Sequence, residues 1–150
     1  MNADAGNDYH FTVRRAEDAE FETDGLREEF VYRDLGVADA TNGDIHAHLV
    51  RAKHLKGGHN GLHRHVLGFQ FALILQGWVS FRYEGQGELR YEKGDAVTIP
   101  GSTLHELLEY SEDLEILEIT MPAVYETVKA DGSSIPTPGQ KVRIAERTGG

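Results

Sequence analysis

His63-Arg64-His65 carries two imidazoles separated by one residue, with Gln70 five positions on and His105 further downstream. Side chains two apart in a strand point to the same side. A strand through residues 63–65 therefore presents two imidazoles on one face, and His105 adds a third from another strand. Three neutral imidazoles and an amide oxygen suit Fe(II), Mn(II), Ni(II), Co(II) or Zn(II), so one divalent transition metal is the expected cofactor. The Gln70 oxygen brings no charge, which loosens binding but leaves the ion a stronger Lewis acid. His63, His65, Gln70 and His105 together would leave adjacent positions of a six-coordinate ion open, as catalysis requires. Because imidazoles ligate only when neutral, such an ion should leave as the pH falls below ~6.5. The plainer alternatives are histidines hydrogen-bonded at a surface and Gln70 as a core amide bonded to backbone.

Other residues compete for attention. By alternation His105, Leu107 and Glu109 share a face, and Glu118 lies mid-strand between Ile116 and Thr120. A carboxylate in an apolar lumen has a raised pKa and can act as a general base, so Glu109 and Glu118 are catalytic candidates. Rim or ion-paired surface acids are the equal alternative. His46-Ala47-His48 is a second alternating pair without the downstream polar residue and glycine. It reads as an ordinary strand pair lining a pocket or facing water. His54 and His59 belong to a loop mouth, and His10 to the N-terminal end. Trp78, Phe81, Tyr83 and Tyr91 read as barrel packing. Gly85-x-Gly87 is a hairpin turn, without the strand-to-helix setting of a phosphate loop.

The elements that must hold these residues are strands. Glu29 to Arg33, Ile45 to Ala52, Phe69 to Leu75, Trp78 to Tyr83, Glu88 to Tyr91, Ala96 to Ile99, His105 to Tyr110 and Leu114 to Met121 are β-rich. Turn signals such as Gln86-Gly87, Lys93-Gly94-Asp95 and Pro100-Gly101 separate them, a rhythm that predicts an antiparallel sandwich or barrel. Residues 36–43 read as a loop. In the strand from Phe69, residues Gln70, Ala72 and Ile74 share one face, and Phe69, Phe71, Leu73 and Leu75 the other. Both faces are mostly apolar, so both are covered, the outer one by N-terminal strands or by a second subunit. A homodimer is expected.

A chain of 150 residues makes one domain: a loose N-terminus over 1–11, a barrel over 12–130 and a mobile or surface-draped tail over 131–150. The formal charge of −10 repels phosphate backbones and anionic lipid, so neither nucleic acid nor a membrane is an expected partner; a small-molecule substrate or ligand is. With no cysteine, any metal is held by nitrogen and oxygen. The acidic, polar first residues do not resemble a leader, no apolar run spans a bilayer, and a cytoplasmic location is expected.

Gly58, His63, His65, Gln70 and Gly77 stand at the spacing of the first cupin motif, and Gly94, Pro100 and His105 at that of the second. The chain resembles a small single-domain cupin over residues 44–121. That resemblance implies an antiparallel jelly-roll barrel, with N-terminal strands added. Gln70 stands where the family usually has Glu, Gly101 follows Pro100 directly, and Glu109 stands where Asn is common. Three His with one Gln is similar to the manganese site of some cupin hydroxynitrile lyases, although the spacing to Gln70 differs. The resemblance implies a metal-dependent enzyme, either a dioxygenase or a redox-neutral lyase or isomerase. The competing expectation is a non-catalytic cupin that binds or senses a small ligand.

Overall fold

The computed structural model describes residues 8–23, 29–53, 61–137 and 144. Strands β1 (Phe30–Asp34), β2 (His46–Ala52), β3 (His63–Val66), β4 (Phe69–Gln76), β5 (Trp78–Tyr83) and β6 (Gly87–Glu92) come first. Strands β7 (Ala96–Pro100), β8 (His105–Tyr110), β9 (Glu115–Met121), β10 (Glu126–Lys129) and β11 (Ser134–Ile135) complete the chain. They form two antiparallel sheets. Sheet I has five strands in the order β1-β2-β9-β4-β7, and sheet II has six in the order β11-β10-β3-β8-β5-β6.

The alternation read along β4 is the alternation observed: Gln70, Ala72 and Ile74 are buried, and Phe69, Phe71, Leu73 and Leu75 are half-buried on the outer face. Between the sheets Phe30, Val50, Ala72, Ile74, Val79, Leu107, Tyr110, Leu114 and Ile116 form one core. Ile74 and Val79 are 2% and 0% exposed, and burying each stabilises the fold by roughly 1.5–3 kcal/mol. This core fills one end of the space between the sheets and leaves polar residues at the other.

Two local features differ from the sequence reading. Residues 36–43 contain a single helical turn, α1 (Val37–Ala40), entered through Gly36 at φ 83°. Further upstream, where no clear period shows in the sequence, Ala16–Asp18 form a 3-10 turn and Glu22 bridges to Tyr32. The segment after Asp131 is not wholly a draped tail: β11 pairs with β10, and Thr137 is buried. Its average composition is polar, but the short Ser-Ser-Ile stretch supplies enough backbone and side chain to close the sheet edge. Gly57, Gly58, His54 and His59 lie outside the described residues. Among the described residues no helix is long and apolar enough to cross a membrane.

Candidate metal centre

β3 and β8 lie side by side in sheet II, with His63 directly opposite His105. Period-2 alternation turns His63, His65 and His105 to the interior, where they are 5%, 8% and 5% exposed. Ring centroids are 5.0, 4.7 and 5.0 Å apart, a nearly equilateral triangle. One ring nitrogen from each lies within 4.8 Å of the others. The turn after β7 sets the spacing between the two strands. Gly101 packs so closely on the β3–β4 turn that a Cβ there would sit 1.7 Å from the Leu67 carbonyl oxygen. Gly101 N–H donates to Gly68 O and Ser102 N–H to His65 O, tying the two motifs together.

The outer nitrogens fix the tautomers. His63 Nδ1–H donates to Gly61 O at 3.0 Å and His105 Nδ1–H to Thr103 O at 2.9 Å, since a carbonyl can only accept. His65 Nδ1 meets Thr127 Oγ1 at 2.8 Å. Thr127 contacts Thr137, whose hydroxyl donates to Tyr125 O at 3.2 Å. Thr137 therefore accepts from Thr127, and Thr127 accepts from His65 Nδ1–H. Each ring therefore carries its proton on Nδ1 and turns an unprotonated Nε2 towards the other two. That donor set fits a divalent transition ion, and it is anchored as metal-binding histidines are.

Sheet I supplies the facing wall. Gln70 on β4 and Glu118 on β9 both line the cavity, as do Tyr32 and Tyr125. Gln70 lies near Glu118 and helps to hold its carboxylate ionised. The cavity has a volume of about 110 Å³, and aliphatic side chains including Val97, Ile99 and Leu107 line it as well. The Tyr125 ring lies 5.2 Å from His65, and burial together with Glu118 and Tyr32 pushes its phenol well above the ordinary range. Burial likewise raises Tyr83, whose hydroxyl accepts from Tyr91 at 3.0 Å. These phenols stay protonated.

In sequence the chain matches no protein-family model and no curated protein. In structure it is similar to an RmlC-like cupin from Ralstonia eutropha (TM-score 0.64, 15% identity, 85% of this chain and 78% of that one). It is also similar to KdgF from Halomonas sp. (TM-score 0.57, 20% identity, 74% and 94%). A third neighbour is the oxalate decarboxylase of Bacillus subtilis, a protein with Mn(II) centres (TM-score 0.55, 21% identity, 73% and 30%). The chain has the cupin fold.

Within this fold the expected site residues separate into two groups. His63, His65, Gln70, His105 and Glu118 meet around one cavity. Glu109 does not: β8 bulges at Leu108, so that Phe81 faces Leu107 while Ser80 faces Glu109. The bulge breaks the alternation, turns Tyr110 into the core and leaves Glu109 exposed. The expected rise of a lumenal carboxyl also does not occur at Glu118. Burial alone pushes its pKa up, but a hydrogen bond and charge from His48, charge from His65 and a hydrogen bond from Gln70 outweigh it and hold the carboxyl at about 2.

His46 and His48 are not a solvent-facing pair. They are 3% and 4% exposed and form a chain: His46 Nε2 to His48 Nδ1 at 3.2 Å, and His48 Nε2 to Glu118 Oε1 at 3.0 Å. An ionised Glu118 only accepts, so His48 Nε2–H donates to it, and His48 Nδ1 and His46 Nε2 share the second hydrogen bond. Register places the chain, since His48 faces Glu118 and His46 faces Thr120 across β2 and β9. His46 Nδ1, Thr120 Oγ1 and Asp34 Oδ2 at its far end have no hydrogen-bond partner. Burial and the neighbouring His48 hold His46 down at about 4. Phe81 and Tyr83 line the cavity, whereas Trp78 stacks under Arg90 at 3.9 Å.

Proposed function

We propose that this cupin is a divalent-metal-dependent enzyme acting on a small organic molecule. The observation that carries the reading is the set of three anchored imidazoles whose unprotonated Nε2 atoms converge at the wall of a cavity. His63, His65 and His105 would hold the ion, with Gln70 Oε1 as a fourth donor. The ion when bound would act as a Lewis acid that acidifies a ligated hydroxyl or polarises a carbonyl. The Mn(II) of the Bacillus subtilis neighbour supports a metal in this fold, without fixing which one this chain holds.

Glu118 is then the group that takes the substrate proton. A carboxylate with a pKa near 2 is a weak base, but it suffices for a hydroxyl already acidified by a metal. Tyr125, protonated and beside His65, is placed to donate a hydrogen bond to developing negative charge. A base and a donor lining one small cavity favour redox-neutral proton transfer, as in a lyase or isomerase, over dioxygenation. Elemental analysis of the purified chain tests the reading at its root. About one transition-metal ion per chain supports it; a chain that holds none and rejects added Fe, Mn, Ni, Co and Zn overturns it. Oxygen uptake by the loaded protein on an enol, thiol and aromatic-diol panel would assign the dioxygenase chemistry instead.

We further propose a homodimer formed through the outer face of sheet I. Leu49, Leu117 and Leu73 lie in one cross-strand row and Ala47, Ile119 and Phe71 in the next. In these rows all but Ala47 are half-buried, an apolar surface larger than isolated exposed residues make.

A further inference from the structure

We propose that the cavity selects an uncharged, largely apolar small molecule bearing a hydroxyl or enol at its metal end, and that Glu118 is the residue that turns carboxylates and phosphates away. The inference rests on the metal site proposed above and names the substrate class that site would accept.

Among the described residues that line the cavity, Glu118 is the only acidic one and there is no lysine or arginine. The arginines near the barrel wall are committed elsewhere: Arg51 pairs with Glu115 at 3.0 Å and Arg82 with Glu106. A carboxylate or phosphate ligating the ion would therefore lie beside a fixed negative charge with no side-chain cation to offset it. Apart from Gln70 and the Tyr32 and Tyr125 phenols the remaining wall is aliphatic or aromatic, and the Tyr83 hydroxyl already bonds to Tyr91. What the wall offers a ligand is one charged acceptor, Glu118, the neutral Tyr125 hydroxyl and an otherwise apolar bed. Those complement a hydroxyl donor on a hydrocarbon body.

The buried His46-x-His48 pair explains how the carboxylate keeps its place. His48 donates to Oε1, His46 orients His48, and neither histidine lines the cavity. Two buried imidazoles in series brace one acidic side chain. They are positioning residues, and the charge they hold in place is the selectivity element. A carboxylate so braced cannot swing away to admit a second anion.

Acetylacetone and malonate test this directly. They share a three-carbon, two-oxygen chelating skeleton, but the first is neutral in solution and the second a dianion. The full chain is loaded with Mn(II), its metal content is measured, and each probe is titrated while water-proton relaxation reports displacement of metal-bound water. Relative to free Mn(II), the wild-type chain should favour acetylacetone over malonate by about tenfold or more, and Glu118→Gln should erase most of that preference. Glutamine keeps the acceptor that His48 needs, and a thermal melt checks that the variant is folded. A wild-type preference for malonate no weaker than that of free Mn(II) overturns the proposal, whatever the variant does. So does a folded Glu118→Gln whose probe ratio is unchanged. A chain that takes up none of Mn, Fe, Ni, Co and Zn fails at the first measurement, which refutes the metal site itself and this inference with it.

Discussion

His46 converts a buried hydrogen-bond chain into a measurable dependence of stability on pH. In the folded chain its pKa is held at about 4, against 6.5 for the free side chain. Between those values the unfolded chain binds the extra proton and the folded chain does not, so stability falls as the pH is lowered through that window. A shift of about 2.5 units corresponds to about 3.4 kcal/mol in total, of which about 2 kcal/mol is lost between pH 7 and pH 4.5. Glu118 acts at lower pH: its contribution is complete above its ordinary value of 4.5 and disappears only on the way down to about 2. Urea unfolding of chelator-treated protein at pH 7 and pH 4.5 measures the effect, with His46→Asn as reference. The asparagine does not titrate, and its amide can donate to His48 in place of the ring. With a urea slope of ~2 kcal/mol per molar, the wild-type midpoint should fall by about 1 M more than that of the variant. Midpoints that fall in parallel would falsify the assignment of His46 as a neutral buried link.

The relay behind His65 makes a second test. Thr127→Val and Thr137→Val each break the hydrogen-bond chain that fixes its tautomer, and should weaken metal binding by roughly 10–100-fold in competition against a chromophoric chelator; unchanged affinity in both would remove the relay from the centre. Gln70→Glu places a carboxylate at the proposed fourth donor and beside Glu118, a repulsion that a bound ion relieves. Affinity should rise by about tenfold in the same assay, and an unaltered value would take Gln70 out of the ion's ligand set. Ile119→Glu puts a charge in the apolar rows of sheet I, and light scattering should find a monomer where the wild type is a dimer. A monomeric wild type would end that proposal.

The histidine triad was legible because its information is local. His63-x-His65 needs only the two-residue period of a strand, and β4 announces its covered faces through Phe69 to Leu75 in the same way. What depends on pairing between distant strands was not. Glu109 follows the period of β8 on paper, but the bulge at Leu108 belongs to the match between β8 and β5. Glu118 was placed correctly by alternation, yet its acidity is set by His48, 70 residues earlier in the chain. Thr127 reaches His65 across a separation of 62 residues and owes its position to the β3–β10 register. No spacing rule flags Thr137 or Tyr125. His46-Ala47-His48 was visible as a motif, but its partner in sheet I was not, and so its task was hidden.

The two walls of the cavity divide their labour. All three imidazoles hang from sheet II, while Val97, Ile99, Ala72 and Glu118, which meet the body of a ligand, belong to sheet I. The arrangement gives a protein engineer a natural partition: a library confined to β4, β7 and β9 can reshape what the barrel accepts without disturbing the imidazole cradle. It also gives natural drift the same freedom, so relatives of this chain could diverge in diet while keeping one inorganic heart.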